Sequence, residues 1–430
     1  SQKMQANAAR ALAALAREHT ENRSLVARLG AIGPLCALLR EGDDGTKVQS
    51  AAALWAIASG DTANKQTIAK LGCVDPLVAL LVTGSGEKSL IVSAGALTSL
   101  ASRHVENRGV VAKRLVGLLK TSAMQVSDRA VRVLAGLARF THASTHNQIA
   151  IAKSGGVAPL VKWLTTANDQ QAQTEAASVL RSLSTNNPTT QALIIKSSGL
   201  PPLVSLLRTG GPEGQDNAAR ALWHLAGTAE AQEVIIEAGA IEPLVGMLRS
   251  EREHARGLSA ITILQLVRHN AKASAAFGRA GVFPPLVSLL AEENAQTQQQ
   301  GAEAVAELAL AGANRDTVAA AGGVPPLIEL LSSRTPGTPS IASRALAQLA
   351  QDVEMPEAEA KPEPEGGAAA GDGAAANGGE AGASAENAAE GTAEGGEEGA
   401  SAPASVAALG GAERRQLIAS HGGIAKLVDM

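Results

Sequence analysis

The chain has 430 residues, is 45% hydrophobic but only 1% aromatic with no Tyr, and carries a formal net charge of −4 at pH 7. With so few rings, the interior must be packed from Ala, Leu, Ile and Val, which brings helices close together. There is no run of 18 apolar residues and no charged-then-apolar leader, so neither a membrane span nor secretion is expected. Cys36 and Cys73 show no zinc or redox spacing. They read as small buried hydrophobes in a reduced, intracellular compartment, cytoplasmic rather than nuclear.

In chain order, Gln5 to Ala16 already reads as the last helix of a unit, so the chain is expected to be a piece of a longer protein. The phrase Gly-Gly-Val-Ala-Pro-Leu-Val-Lys-Trp-Leu from Gly155 returns as Gly-Ala-Ile-Glu-Pro-Leu-Val-Gly-Met-Leu from Gly239 and Gly-Gly-Val-Pro-Pro-Leu-Ile-Glu-Leu-Leu from Gly322. Its marker proline falls at Pro34, Pro76, Pro159, Pro202, Pro243, Pro285 and Pro326, with Arg114 and Lys426 in the same slot of two degenerate copies. A period near 42 is that of a helical solenoid, which buries apolar surface between neighbouring repeats.

One unit reads as three helices. Asn147 to Lys153 is short and apolar at helical spacing, Gly155-Gly156 breaks it, and Val157 to Leu164 follows with Pro159 in its first turn. Gln171 to Ser184 then places Ala176, Ala177, Leu180 and Leu183 three and four apart. The Asn that opens the first helix recurs as Asn22, Asn64, Asn107, Asn147 and Asn314, and reads as an N-cap. This unit, with the third helices best seen at Gln5 to Ala16, Gln49 to Ala58, Gln215 to Ala226 and Ser340 to Ala350, resembles the armadillo repeat family over about 370 residues. Its style is that of vacuolar and plant armadillo scaffolds. The resemblance implies an all-α fold: a right-handed alpha-alpha superhelix of about nine three-helix repeats, some of them partial.

Two copies depart from the pattern. The one from Asn107 lacks both the Gly break and the Pro, so its first two helices are expected to fuse or shorten and the groove to bend there. The one ending at Val267 has Gly257-Leu258-Ser259 where Ala and polar residues usually stand. From Asp352 to Ala408 the composition turns to Ala, Gly, Glu, Pro and Ser, with 13 acidic residues against the single Lys361. Such a segment buries too little to offset its ordering entropy and reads as disordered. The expected organisation is therefore a solenoid over 1–351, an acidic insert over 352–408 and a partial repeat over 409–430. The insert's net charge of about −12 leaves the repeats at about +8, which favours an acidic partner and makes the insert itself a candidate intramolecular ligand.

In the armadillo family the third helices line a concave groove, and importin-alpha-like members present Trp and, four residues later, Asn from successive repeats. Here the Trp positions hold Arg10, Ala52, Gly95, Arg132, Ser178, Arg220, Ile261, Glu303 and Arg344. The Asn positions hold Ala14, Ala56, Ser99, Gly136, Ser182, His224, Gln265, Glu307 and Gln348. The missing ladder argues against an importin-alpha-like nuclear transport adaptor. The recurring Arg suit carboxylates or phosphates. The candidate partner-binding groove is thus Arg10, Arg132, Arg220, His224, Gln265, Arg344 and Gln348, with Trp55 and Trp223 as anchors beside it and Trp163 in the core.

No Gly-x-x-x-x-Gly-Lys-Ser/Thr, Gly-x-Ser-x-Gly or His-Glu-x-x-His motif occurs. The Gly-Gly pairs recur with the repeat and read as turns, and His421, before such a pair, reads as a helix cap. No catalytic residue, metal or cofactor is therefore expected. Nor is nucleic acid, because the basic residues form no dense run and stacking aromatics are nearly absent. The expected role is a protein-interaction scaffold holding an extended acidic or phosphorylated segment. The alternatives are the transport adaptor and the substrate-binding module of a ubiquitin ligase whose catalytic part lies outside this fragment.

Overall fold

The computed structural model describes residues 2–17, 19–121, 123–139, 144–167, 169–351 and 410–428, which are helical with no strand among them. The acidic segment Asp352 to Ala408 lies outside the described residues. The chain enters on α1 (Gln2–Ala16), followed by α2 (Thr20–Arg28), α3 (Ile32–Glu41) and α4 (Asp44–Ala58). Next come α5 (Thr62–Lys70), α6 (Val74–Thr83) and α7 (Glu87–Ala101), then only two helices, α8 (Val105–Leu118) and α9 (Met124–Arg139). Regular triplets resume with α10 (Ser144–Lys153), α11 (Val157–Thr166) and α12 (Gln170–Ser184), and with α13 (Pro188–Lys196), α14 (Leu200–Thr209) and α15 (Pro212–Leu225). They continue as α16 (Ala229–Glu237), α17 (Ile241–Leu248), α18 (Glu253–Val267), α19 (Ala271–Arg279), α20 (Phe283–Leu289) and α21 (Ala295–Leu308). The last are α22 (Gly312–Ala320), α23 (Val324–Leu330), α24 (Thr338–Ala350), α25 (Gly411–Ser420) and α26 (Gly423–Val428).

Each third helix packs on the third helix of the next repeat, from α1 on α4 through to α21 on α24. Small residues make this stacking close: Ala176, Ala177, Ala218, Ala219 and Ala221 are wholly buried. With the Leu and Val of the second helices they form one continuous apolar core. The copy from Asn107 has fused its first two helices into the 14-residue α8, as the loss of its Gly and Pro predicts. Elsewhere a tight turn separates them, with a glycine in the left-handed position in every copy but one, where Ser198 takes it. Gly155 adopts φ +76°, and a Cβ on the following Gly156 would lie 2.9 Å from Cγ2 of both Ile151 and Val116. One glycine supplies the left-handed backbone and the other permits the close approach.

The recurring Asn is not the N-cap. That role falls three residues earlier, where Asp61 Oδ1 accepts the Asn64 N–H at 2.9 Å and His104 Nδ1 accepts the Asn107 N–H at 3.3 Å. The Asn stands at N3, where its side chain turns inward to the C-terminal carbonyls of the preceding third helix. Asn64 Nδ2 donates to Ile57 O at 3.2 Å, Asn107 Nδ2 to Leu100 O at 3.3 Å, and Asn314 Nδ2 to Leu308 O at 2.9 Å. The next residue reaches the opposite way, to the third helix of its own repeat. Lys65 Nζ donates to Ser102 O at 2.7 Å, Gln148 Nε2 to Ser182 O at 2.5 Å and Gln232 Nε2 to Gln265 O at 2.9 Å. Helix-end carbonyls that would otherwise be orphaned are satisfied on both sides of each repeat junction.

Cys36 and Cys73 are buried, as expected of small apolar side chains, but they are not unpaired. They form a disulfide between the first two repeats with Cα atoms 5.6 Å apart. Cys36 lies within α3 and Cys73 caps α6, and these second helices are neighbours, so unequal positions in the repeat still meet across the junction. Thiol usage therefore gives no ground for a reducing compartment.

At the far end, fully buried Arg414 ties α25 to α24. Its Nε donates to Leu349 O and its Nη2 to Gln351 O, both at 2.8 Å, and its guanidinium pairs with Asp316. Nδ1 of His421, the residue that closes α25, lies 2.9 Å from Leu417 O.

Replacing Asn314 by Ala removes its buried hydrogen bonds to Leu308 O, Ser274 O and Ser274 Oγ, which link α22 to the preceding repeat. We expect a loss of about 1–3 kcal/mol, read as a lowered urea midpoint, with helical circular dichroism retained at zero denaturant.

Candidate functional site

The third helices present the predicted ladder on one face. Most ladder side chains are half-buried or exposed, whereas Ser178 and Ser182 on α12 are buried. Four positions on this face carry arginine, but the four differ. Arg10 is exposed and donates to Asn7 Oδ1, at 3.3 Å on its own helix. Arg132 is held by Asp128 one turn earlier, at 3.0 Å, so much of its charge is met within α9. Arg344 is exposed and makes no ion pair among the described residues. Arg220 stands in the most elaborated part of the face.

There a cavity of about 720 Å³ opens between α15, α18 and α21. Its walls include Arg220, Trp223, His254, Leu258, Ile261 and Gln300. Gly257 keeps the wall thin, since a Cβ there would lie 2.6 Å from Gln300 Oε1. Arg220 Nη2 donates to His254 Nε2 at 3.2 Å, so that ring nitrogen is unprotonated. Glu253 lies at the rim, where it accepts from Thr297 Oγ1 at 3.4 Å.

His224 sits beside this cavity, not in its lining. Its ring lies 4.5 Å from that of Trp223, and its Nε2 is 3.2 Å from Thr185 Oγ1. Thr185 commits its hydroxyl proton to Arg181 O at 2.9 Å, so His224 Nε2 carries the proton between the two side chains. Burial, with the positive charges of Arg220 and Arg181, pushes the imidazole pKa down to about 4. His224 is therefore a neutral donor at pH 7, not a cation assisting Arg220. Gln265, its counterpart on α18, donates to Ala226 O at 3.2 Å and braces the junction. Gln348 is half-buried on α24 beside Arg344.

Trp55 and Trp223 are both half-buried, which fits packing and exposure at once. The Trp55 indole lies against Gly95 of the next third helix, where a Cβ would come within 2.7 Å of the ring. It also lines a second cavity of about 600 Å³ with Ala52, Ala56, Val92, Arg17 and Arg23. Trp163 is 7% exposed and belongs to the core. Residue-by-residue alignment of the ladder overlooked His254. It lies seven residues before Ile261 and so on the same helical face, a spacing that would have revealed it.

An elongated stack of three-helix units, each third helix packed on the next, defines an α-solenoid. The family model of the Armadillo/beta-catenin-like repeat matches residues 19–59 and 186–227. A U-box domain-containing protein 12 of Arabidopsis thaliana is 34% identical over 82 residues, which are 19% of this chain and 12% of that protein. The chain thus matches about an eighth of this curated relative's length. Among solved structures, an engineered protein superposes with TM-score 0.58 at 28% identity, covering 82% of this chain and 96% of that one. A computationally designed armadillo repeat protein for modular peptide recognition gives TM-score 0.51 at 25% identity over 55% of this chain and 98% of that one. The chain belongs to the armadillo repeat family.

Because the folded pKa of His224 lies below the unfolded value of about 6.5, the unfolded state binds more protons between pH 6.5 and 4. Stability is thus complete above pH 6.5 and falls as the pH drops towards 4. The urea midpoint should decline across that window, and His224→Gln should flatten the decline. Equal slopes in both proteins would refute the neutral assignment.

Proposed function

We propose that the chain is a protein-interaction scaffold that holds an extended segment of a partner, bearing carboxylates or phosphates, along the face of its third helices. The observation that carries this reading is Arg220, set in a groove cavity between Trp223 and His254. There a guanidinium fork meets an apolar wall. The peptide recognition named for the designed armadillo protein supports the same mode of binding. Affinity would accumulate over several repeats through modest contacts, and no chemical step is involved. The acidic segment 352–408, tethered to the same chain, would compete for the groove at high effective concentration.

A second reading, in which the array is the substrate-binding module of a ubiquitin ligase, draws on the likeness to a U-box domain-containing protein. It assigns the same groove to substrate. The transport-adaptor reading has no such support, because the ladder holds neither Trp nor Asn.

Reversing the charge at Arg220 and Arg344 together, as Arg220→Glu with Arg344→Glu, should weaken capture of acidic partners about tenfold or more while leaving circular dichroism unchanged. Deleting 352–408 should strengthen the same binding, most clearly at low salt. A double mutant that retains the wild-type partner set in affinity proteomics removes the arginine groove from consideration.

A further inference from the structure

Four successive third helices, α15, α18, α21 and α24, present a sequence of unlike pairs at equivalent groove positions. These are Arg220 with His224, Ile261 with Gln265, Glu303 with Glu307, and Arg344 with Gln348. The face is therefore not uniformly basic. Glu303 and Glu307 are half-buried, one helical turn apart. Glu303 accepts a weak hydrogen bond from Gln299 Nε2 at 3.5 Å, and among the described residues neither glutamate enters an ion pair. Two carboxylates at i and i+4 repel each other, and partial burial sharpens the repulsion. The arginines two levels before and one level after, Arg220 and Arg344, leave them uncompensated: Arg220 turns to His254, and Arg344 makes no ion pair among the described residues. Among the described residues the acidic level is a charge left unmatched, one level before the last third helix of the face.

We propose, building on the groove reading above, that the partner segment is amphoteric and read in a fixed charge register. An acidic or phosphorylated residue lies at Arg220, an apolar side chain at Trp223 and Ile261, a Lys or Arg at Glu303 and Glu307, and a second acidic residue at Arg344. Packed helices lie roughly 8–10 Å apart and an extended strand advances about 3.3 Å per residue, so each level is served by every second or third residue. The segment that spans all four levels is then about seven to ten residues long. The basic level gives selectivity: a purely acidic segment must place a negative charge against two carboxylates, and like-charge juxtaposition rejects wrong partners.

The test uses fluorescently labelled synthetic peptides and anisotropy at low salt with the full chain. One peptide carries the acidic, apolar, basic, acidic order with Gly or Ser spacers, made in both chain directions. A second replaces its basic residue by Glu, and a third scrambles the order. We expect the ordered peptide, in one direction, to bind about tenfold more tightly than the all-acidic one. Glu303→Lys with Glu307→Lys should invert that preference, and Glu303→Gln with Glu307→Gln should abolish it if the lysine variant fails to fold. An all-acidic or scrambled peptide that binds as tightly as the ordered one overturns the register while leaving an acidic-segment groove intact. Failure of every peptide to bind overturns both.

Discussion

The structure depends on polar side chains near the start of the first helices that hydrogen-bond to the end carbonyls of the flanking third helices, and in several repeats two adjacent residues reach to opposite sides. Asn107 faces backwards to Leu100 O and Lys65 O, while Lys65 itself faces forwards to Ser102 O. In a solenoid no residue sees a central core, so each junction must satisfy its own backbone within reach of two repeats. The buried donors do so without adding apolar bulk, leaving the Ala-rich third helices free to stack closely. Lys65 is itself buried, and desolvation lowers the pKa of its ammonium.

The groove follows from that stacking. Third helices held at a regular spacing bring equivalent side chains into line, so a residue changed in one repeat lies beside its counterparts in the next. Around Arg220 the line is elaborated by residues from three repeats. Arg181 and the C-cap Thr185 come from α12, Trp223 and His224 from α15, and His254 and Ile261 from α18. The arginine's cationic role and the neutrality of His224 are two sides of one arrangement. Arg220 helps to suppress protonation of the imidazole beside it, so the positive charge is concentrated on a single fork.

The repeat period, the helix order and the fused copy were legible in the sequence, because they rest on spacing. Interactions between different positions of neighbouring repeats were not. The Asn at N3 reads as a cap until its side chain is seen turning inward, since one residue type serves both roles. The Cys36–Cys73 pairing joins a mid-helix position to a helix start, and position within the repeat alone sets the two apart. His254 lies outside the two ladder columns although it shares their face. Glu303 and Glu307 stand in the columns, but a total of about +8 over the repeats hides a local pair of carboxylates.

Buried Arg414 has a consequence for how this chain can vary. By bonding to Leu349 O and Gln351 O and pairing with Asp316, it fastens α25 onto the end of α24, so the stretch between Gln351 and Gly410 joins two anchored points. Closing a loop grows more costly only logarithmically with length, about 0.6 kcal/mol for each doubling. The last repeat junction is therefore a place where chain can be lengthened, shortened or exchanged for another module while the stack on either side keeps its register.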